Sequence, residues 1–163
     1  MTEENLQHTH LDGIADYTAA LDRLCSLARH DLYLYERNFE GLGFNSEVRY
    51  QTLRHFLLAN PLNRLYILAN DTQYLATFCA RIAILMRQFD SRMAIHRIPS
   101  NRPQGSEPFS VADSTHYVRR FHFDDPRGML AINDPTAAGS LQSRFHEMWS
   151  VSVPALSVTT LGL

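Results

Sequence analysis

The stretch Phe109–Trp149, FSVADSTHYVRRFHFDDPRGMLAINDPTAAGSLQSRFHEMW, decides how this chain is organised. It reads as two short strands, an arginine-rich loop and a capped helix. Phe109–Ala112 and Tyr117–Phe121 alternate in the manner of paired strands, with a tight turn at Asp113-Ser114-Thr115. Asp134 followed by Pro135 is a strong helix start: a side-chain acceptor at the cap, then a residue that needs no hydrogen bond of its own. Leu141, Phe145, Met148 and Trp149 recur at helical spacing and give that helix an inward face.

Working outward, the preceding chain alternates helix and strand. Ile14, Tyr17, Leu21, Leu24, Cys25 and Ala28 make an amphipathic helix over Gly13–His30. Leu32–Tyr35 is a short apolar strand with Glu36-Arg37 at its end. Gly41 and Gly43 mark a loop, Asn45 or Ser46 caps a second helix carrying Val48, Leu53, Phe56 and Leu57, and Asn60-Pro61 stops it. Arg64–Ala69 is a strand apolar on both faces. Asp71 or Thr72 caps a third helix with Leu75, Phe78, Cys79, Ile82, Met86 and Phe89 as its buried stripe, and Met93–Ile98 is the next strand. The segment from Pro99 to Pro108, rich in proline, is a surface loop. Residues 1–12 are polar and expected to be mobile, whereas the uncharged tail from Val151 to Leu163 is expected to dock, on its own sheet or on a partner. The expectation is a single α/β domain over residues 13–150, with a mixed, mostly parallel sheet flanked by helices on both faces.

Composition limits the function classes. The 163 residues carry a net charge of −2, which argues against a nucleic-acid partner held by electrostatics. All 15 basic residues are arginine, so any mechanism that requires a lysine is excluded. Cys25 and Cys79 fall on apolar helical faces and are expected to be reduced and buried. There is neither a secretion leader nor an apolar run long enough for a membrane span, so a cytoplasmic protein without membrane contact is expected.

The alternating elements, the aspartate at the turn and the closing pattern Asp113…Asn133-Asp134…Phe145…Trp149 resemble one half of the phospholipase D-like fold, and look closest to single PLD-like domains of bacterial proteins. The catalytic members of that family carry H-x-K-x-x-x-x-D, whose histidine attacks phosphorus while the lysine steadies phosphoryl charge. The corresponding residues here are Ser106-Glu107-Pro108-Phe109-Ser110-Val111-Ala112-Asp113, and only the aspartate matches. The family's later glycine-serine step would fall near Arg119-Arg120 and is missing. The resemblance therefore implies a pseudoenzyme. Because catalytic members pair two halves, it also implies a homodimer.

Arg119, Arg120 and Arg127 surround His122-Phe123-Asp124-Asp125. One reading is an anion cleft at the carboxyl edge of the sheet, where α/β folds place ligands. Its expected members are Arg120, which as the inward one of two strand neighbours is favoured over Arg119, with Arg127, Asp113, His122 and Asn133. The other reading is that these arginines pair with Asp113, Asp124 and Asp125. His122, Asp124, Asp125 and His116 lack diagnostic metal spacing, and His8 and His10 form a loose terminal pair, so no metal or cofactor is expected. No G-x-S-x-G elbow surrounds Ser106 or Ser110. The leading function is a non-catalytic binding or interaction domain with a small anionic ligand. The alternatives are rewired phosphoryl or acyl chemistry through His116 or His122, and a homodimeric scaffold.

Overall fold

The computed structural model describes residues 5–156. Thirteen elements follow one another: β1 (Gln7–Leu11), α1 (Ile14–Leu27), β2 (Asp31–Glu36), α2 (Glu47–Ala59), β3 (Arg64–Ala69), α3 (Gln73–Phe78), α4 (Ala80–Phe89), β4 (Met93–Arg97), β5 (Phe109–Ala112), β6 (His116–His122), β7 (Asp125–Ile132), α5 (Pro135–Ser150) and β8 (Val153–Leu156). The strands form one sheet in the order β1-β7-β6-β5-β2-β3-β4-β8.

Among the described residues only the β2–β3 and β3–β4 pairs are parallel, and every other pairing is antiparallel. The sheet is mixed but mostly antiparallel, which corrects the mostly parallel expectation. The difference comes from strands the sequence hid. β7 contains Pro126 and Gly128, which look like loop punctuation. In the fold Gly128 sits opposite Arg120, and a Cβ there would lie 2.0 Å from the Arg119 carbonyl oxygen. Glycine is needed for this close approach of two backbones, not for a turn. β1 was masked by polarity: of its five residues only Leu11 is buried, because it lies at the sheet's outer edge. The N-terminal segment expected to be mobile is thus a strand from Gln7 onward, paired along β7. The tail docks on its own sheet: Val153 and Pro154 pair with Arg97 and His96. Residues 157–163 of that tail lie outside the described residues.

The third helix is broken in two. Cys79 leaves the helical region (φ −113°, ψ 65°), and α4 restarts with the Arg81 backbone N–H donated to the Asn45 side chain at 3.0 Å. This tertiary cap satisfies a donor that the break would otherwise orphan. It also turns Phe78 outward, so that residue is exposed instead of buried. Both cysteines are free and buried, and burial pushes each thiol up to about 11.

Strand alternation sorts the core into two halves. Leu32, Leu34, Leu65 and Ile67 face α1, α2 and α4. Tyr33, Tyr35, Leu68, Val111 and Tyr117 face Ala138, Leu141 and Phe145 of α5. Helices therefore cover both faces, as expected. The parallel trio defines two edges: a carboxyl edge at Glu36, Ala69 and Arg97, and an amino edge at Asp31, Arg64 and Met93.

Candidate functional site

At the carboxyl edge, β5 separates β2 from β6, and the Arg120 backbone N–H donates to the Pro108 carbonyl at 3.0 Å. Val118 and Arg120 share the face that packs on α1, while Tyr117 and Arg119 face α5. Arg120 is thus the inward member of the pair, as the strand period requires. It does not point into an open cleft. The residue is 8% exposed, and its guanidinium donates to Glu36 at 2.8 Å and to the Phe123 carbonyl at 3.2 Å and lies over the Tyr17 ring.

Glu36 is 1% exposed and also accepts the Tyr17 hydroxyl proton. Burial pushes the Glu36 carboxyl up to about 7, against the pull of Arg120 and of the Tyr17 hydrogen bond, which both favour the carboxylate. Burial and the neighbouring Glu36 hold the Tyr17 phenol well above its usual value, so it stays a donor. Tyr17, Glu36 and Arg120 form a buried polar knot in which only the Arg120 Nε–H lacks an acceptor among the described residues. Glu36 carried one sequence signal: a carboxylate ending an otherwise apolar strand, Leu32–Tyr35.

Four further arginines near this edge are also engaged, whereas the Arg97 guanidinium has no partner among the described residues. Arg119 and Arg144 both reach Glu107, at 3.2 and 3.4 Å. Arg127 pairs with Asp125 at 2.8 Å in a short-range clamp that lowers the Asp125 carboxyl to about 2. Arg37 lies over the Phe123 ring and 3.6 Å from Asp124. Gln104 fills the space behind: its carbonyl accepts from the Tyr35 hydroxyl and the Asn70 amide, both at 2.7 Å. Ser106 is exposed and Pro108 buried, in the places the resemblance gives to nucleophile and lysine.

The five expected ligand residues do not converge. Arg120, His122 and Arg127 sit at the carboxyl edge, and Asp113 and Asn133 at the amino edge. The seven residues of β6 separate the two groups, roughly 20 Å at the rise of an extended strand. Asp113 is a backbone anchor: its carboxylate accepts the N–H groups of Arg29, His30 and Asp31 at 2.9, 2.8 and 3.0 Å. Asn133 holds a positive φ and donates its side-chain amide to the Asn5 carbonyl.

His116, also at the amino edge, accepts the Asn133 N–H at 3.0 Å, and burial lowers its imidazole pKa. His122 is exposed and accepts the Asp124 N–H at 3.1 Å. His8 bonds the capping Asp134 at 2.9 Å. Among the described residues, no group of three or more His, Cys, Asp or Glu could hold a metal ion, and no helix is long and apolar enough to cross a membrane.

Residues 14–161 match a family described as a domain of unknown function, DUF7931. The chain belongs to the DUF7931 family. No curated protein matches it by sequence. Among solved structures, this DUF7931 domain is similar to Nuc, a phospholipase D family member from Salmonella typhimurium, with a TM-score of 0.63 at 14% identity over 93% of this chain and 98% of that one. NucT from Helicobacter pylori matches with a TM-score of 0.59 at 10% identity, over 92% and 99% of the two chains. TrmBL2, an archaeal chromatin protein, reaches a TM-score of 0.68 at 12% identity; the match covers 95% of this chain but 55% of TrmBL2. At such identities the likeness is one of fold, and the fold is phospholipase D-like.

Proposed function

We propose that this domain is a non-catalytic binding module on the phospholipase D-like fold. One observation carries the reading: at the carboxyl edge Arg37, Arg119, Arg120, Arg127 and Arg144 each already reach a carboxylate of the same chain. Arg120, the inward-facing arginine of β6, is buried against Glu36, and Arg119 and Arg144 are held by Glu107 of the degenerate motif itself. Ser106 and Pro108 supply neither a covalent nucleophile of the family's kind nor a cation for phosphoryl charge. Rewired chemistry through His116 or His122 draws less support, since the two rings lie at opposite ends of β6 and each accepts a backbone N–H.

The test is turnover of bis(p-nitrophenyl) phosphate by the purified chain, with and without divalent metal. The expected rate is that of buffer alone. Turnover that follows the protein through purification and disappears in Glu36→Gln or His122→Asn would overturn the reading.

A homodimeric scaffold is the second reading. It is favoured by the outer edge of β1, which has no strand partner among the described residues and holds neither Pro nor Lys to blunt it. Sedimentation at high micromolar concentration tests it. A dimer that dissociates in Thr9→Pro supports it, and a monodisperse monomer rejects it.

A further inference from the structure

The carboxyl ends of α1 and α2 flank a groove of about 720 Å³ at the amino edge. Arg29, Arg54 and His55 line it together with the apolar side chains of Ala28, Phe56 and the exposed Leu58. No carboxylate among the described residues lines it, although the chain as a whole carries a net charge of −2. Neither the Arg29 nor the Arg54 guanidinium has a hydrogen-bond or ion-pair partner among the described residues. Arg29 is held in place through its backbone: its N–H donates to Asp113 at 2.9 Å, which fixes the α1–β2 turn and leaves the side chain free.

Helix carboxyl ends repel anions, so the balance of charge must be weighed. Each end carries roughly half a negative charge. On α2 that charge is already countered: Arg92 donates to the carbonyls of Leu57 and Asn60 at 2.7 and 3.0 Å, and Asn63 to that of Phe56 at 2.9 Å. Two full guanidinium charges outweigh the half charge of the α1 end and the single charge of the neighbouring Asp113 carboxylate. The groove thus combines cationic and apolar lining.

We infer that this groove binds a small phosphate monoester with an apolar body. The guanidiniums match a dianionic oxyanion through forked donors, and the apolar lining takes the carbon portion. The volume falls in the range of roughly 300–1,000 Å³ that holds small molecules. The chain's overall negative charge opposes a long polyanion in the same place. The inference extends the binding role proposed above by naming a site and a ligand class. Because the diester assay reports on the carboxyl edge alone, either idea can fail without the other.

The test is calorimetric titration of the full chain with phenyl phosphate, glycerol phosphate and inorganic phosphate. Phenyl phosphate is expected to bind one-to-one and most tightly, glycerol phosphate less well, and bare phosphate least. Arg29→Ala and Arg54→Ala should each weaken phenyl phosphate by about tenfold or more, the worth of a hydrogen bond to a charged group. Arg87→Ala, an exposed arginine on α4, should leave the affinity unchanged. Thermal melts check folding of each variant, and Arg54→Gln provides a second, neutral replacement if alanine unfolds the helix. No saturable binding at millimolar ligand, or binding that survives the double substitution, overturns the proposal. Equal affinity for phenyl phosphate and bare phosphate refutes its apolar half.

Discussion

The two edges of the sheet use arginine in opposite ways. At the carboxyl edge Arg37, Arg119, Arg120, Arg127 and Arg144 each reach a carboxylate. At the amino edge Arg29 and Arg54 line a groove that no carboxylate among the described residues lines. The first edge is where α/β folds place ligands, yet there five arginines already reach carboxylates. The comparison teaches that position in a fold does not make a site; unspent charge beside accessible space does.

Arg120→Met should give the largest effect on that contrast. Removing one partner of a buried pair leaves the other charge uncompensated, at a cost of about 3–5 kcal/mol. The cost depends on pH. Glu36 has a folded pKa raised from 4.5 to about 7, so its contribution to stability is full below about 4.5 and is lost as pH rises through 7. Arg120 pulls that pKa down, so its removal raises it further and the variant loses more at high pH. Urea denaturation should show a smaller penalty at about pH 5 than at about pH 8. Equal penalties would detach Arg120 from Glu36.

Gly128→Ala should cost toward the upper end of about 1–3 kcal/mol, because its methyl group meets the Arg119 backbone. If instead it melts like wild type, the β6–β7 contact that carries Arg120 is not rigid.

Asp113→Ala should cost about 1–2 kcal/mol by leaving three N–H groups of the α1–β2 turn without their acceptor. Asp113 also has φ +59°, so Asp113→Gly should be milder than alanine by about 1 kcal/mol. Equal melts for the two would remove the backbone argument. At the small end, Arg127→Ala should change neither the melting temperature nor phosphate binding, since Arg127 is exposed and serves only its neighbour Asp125.

The sequence carried the parallel trio, α1, α2, α5 and the resemblance to the phospholipase D-like fold, because apolar periodicity and caps report local structure directly. It concealed β1 and β7. One is an edge strand with a single buried residue, and in the other Pro126 and Gly128 mimic a loop. The break at Cys79 was hidden because the apolar stripe runs across it, and the cap that permits it comes from Asn45, distant in sequence. Arg120 was legible as inward from strand alternation alone. Its partner was not, because Glu36 and Tyr17 reach it only through sheet order. The free arginines of the groove were invisible for the same reason: having no partner is a property of the folded surroundings.

A double-mutant cycle on Glu36→Gln and Arg120→Met tests the central claim most directly. If the carboxyl edge is closed by an internal ion pair, the double variant should be more stable than the sum of the single losses predicts, with a coupling of about 2–3 kcal/mol. Additive losses, within about 0.5 kcal/mol, would mean that Arg120 is not held by Glu36 and that this edge keeps a free cation for a ligand.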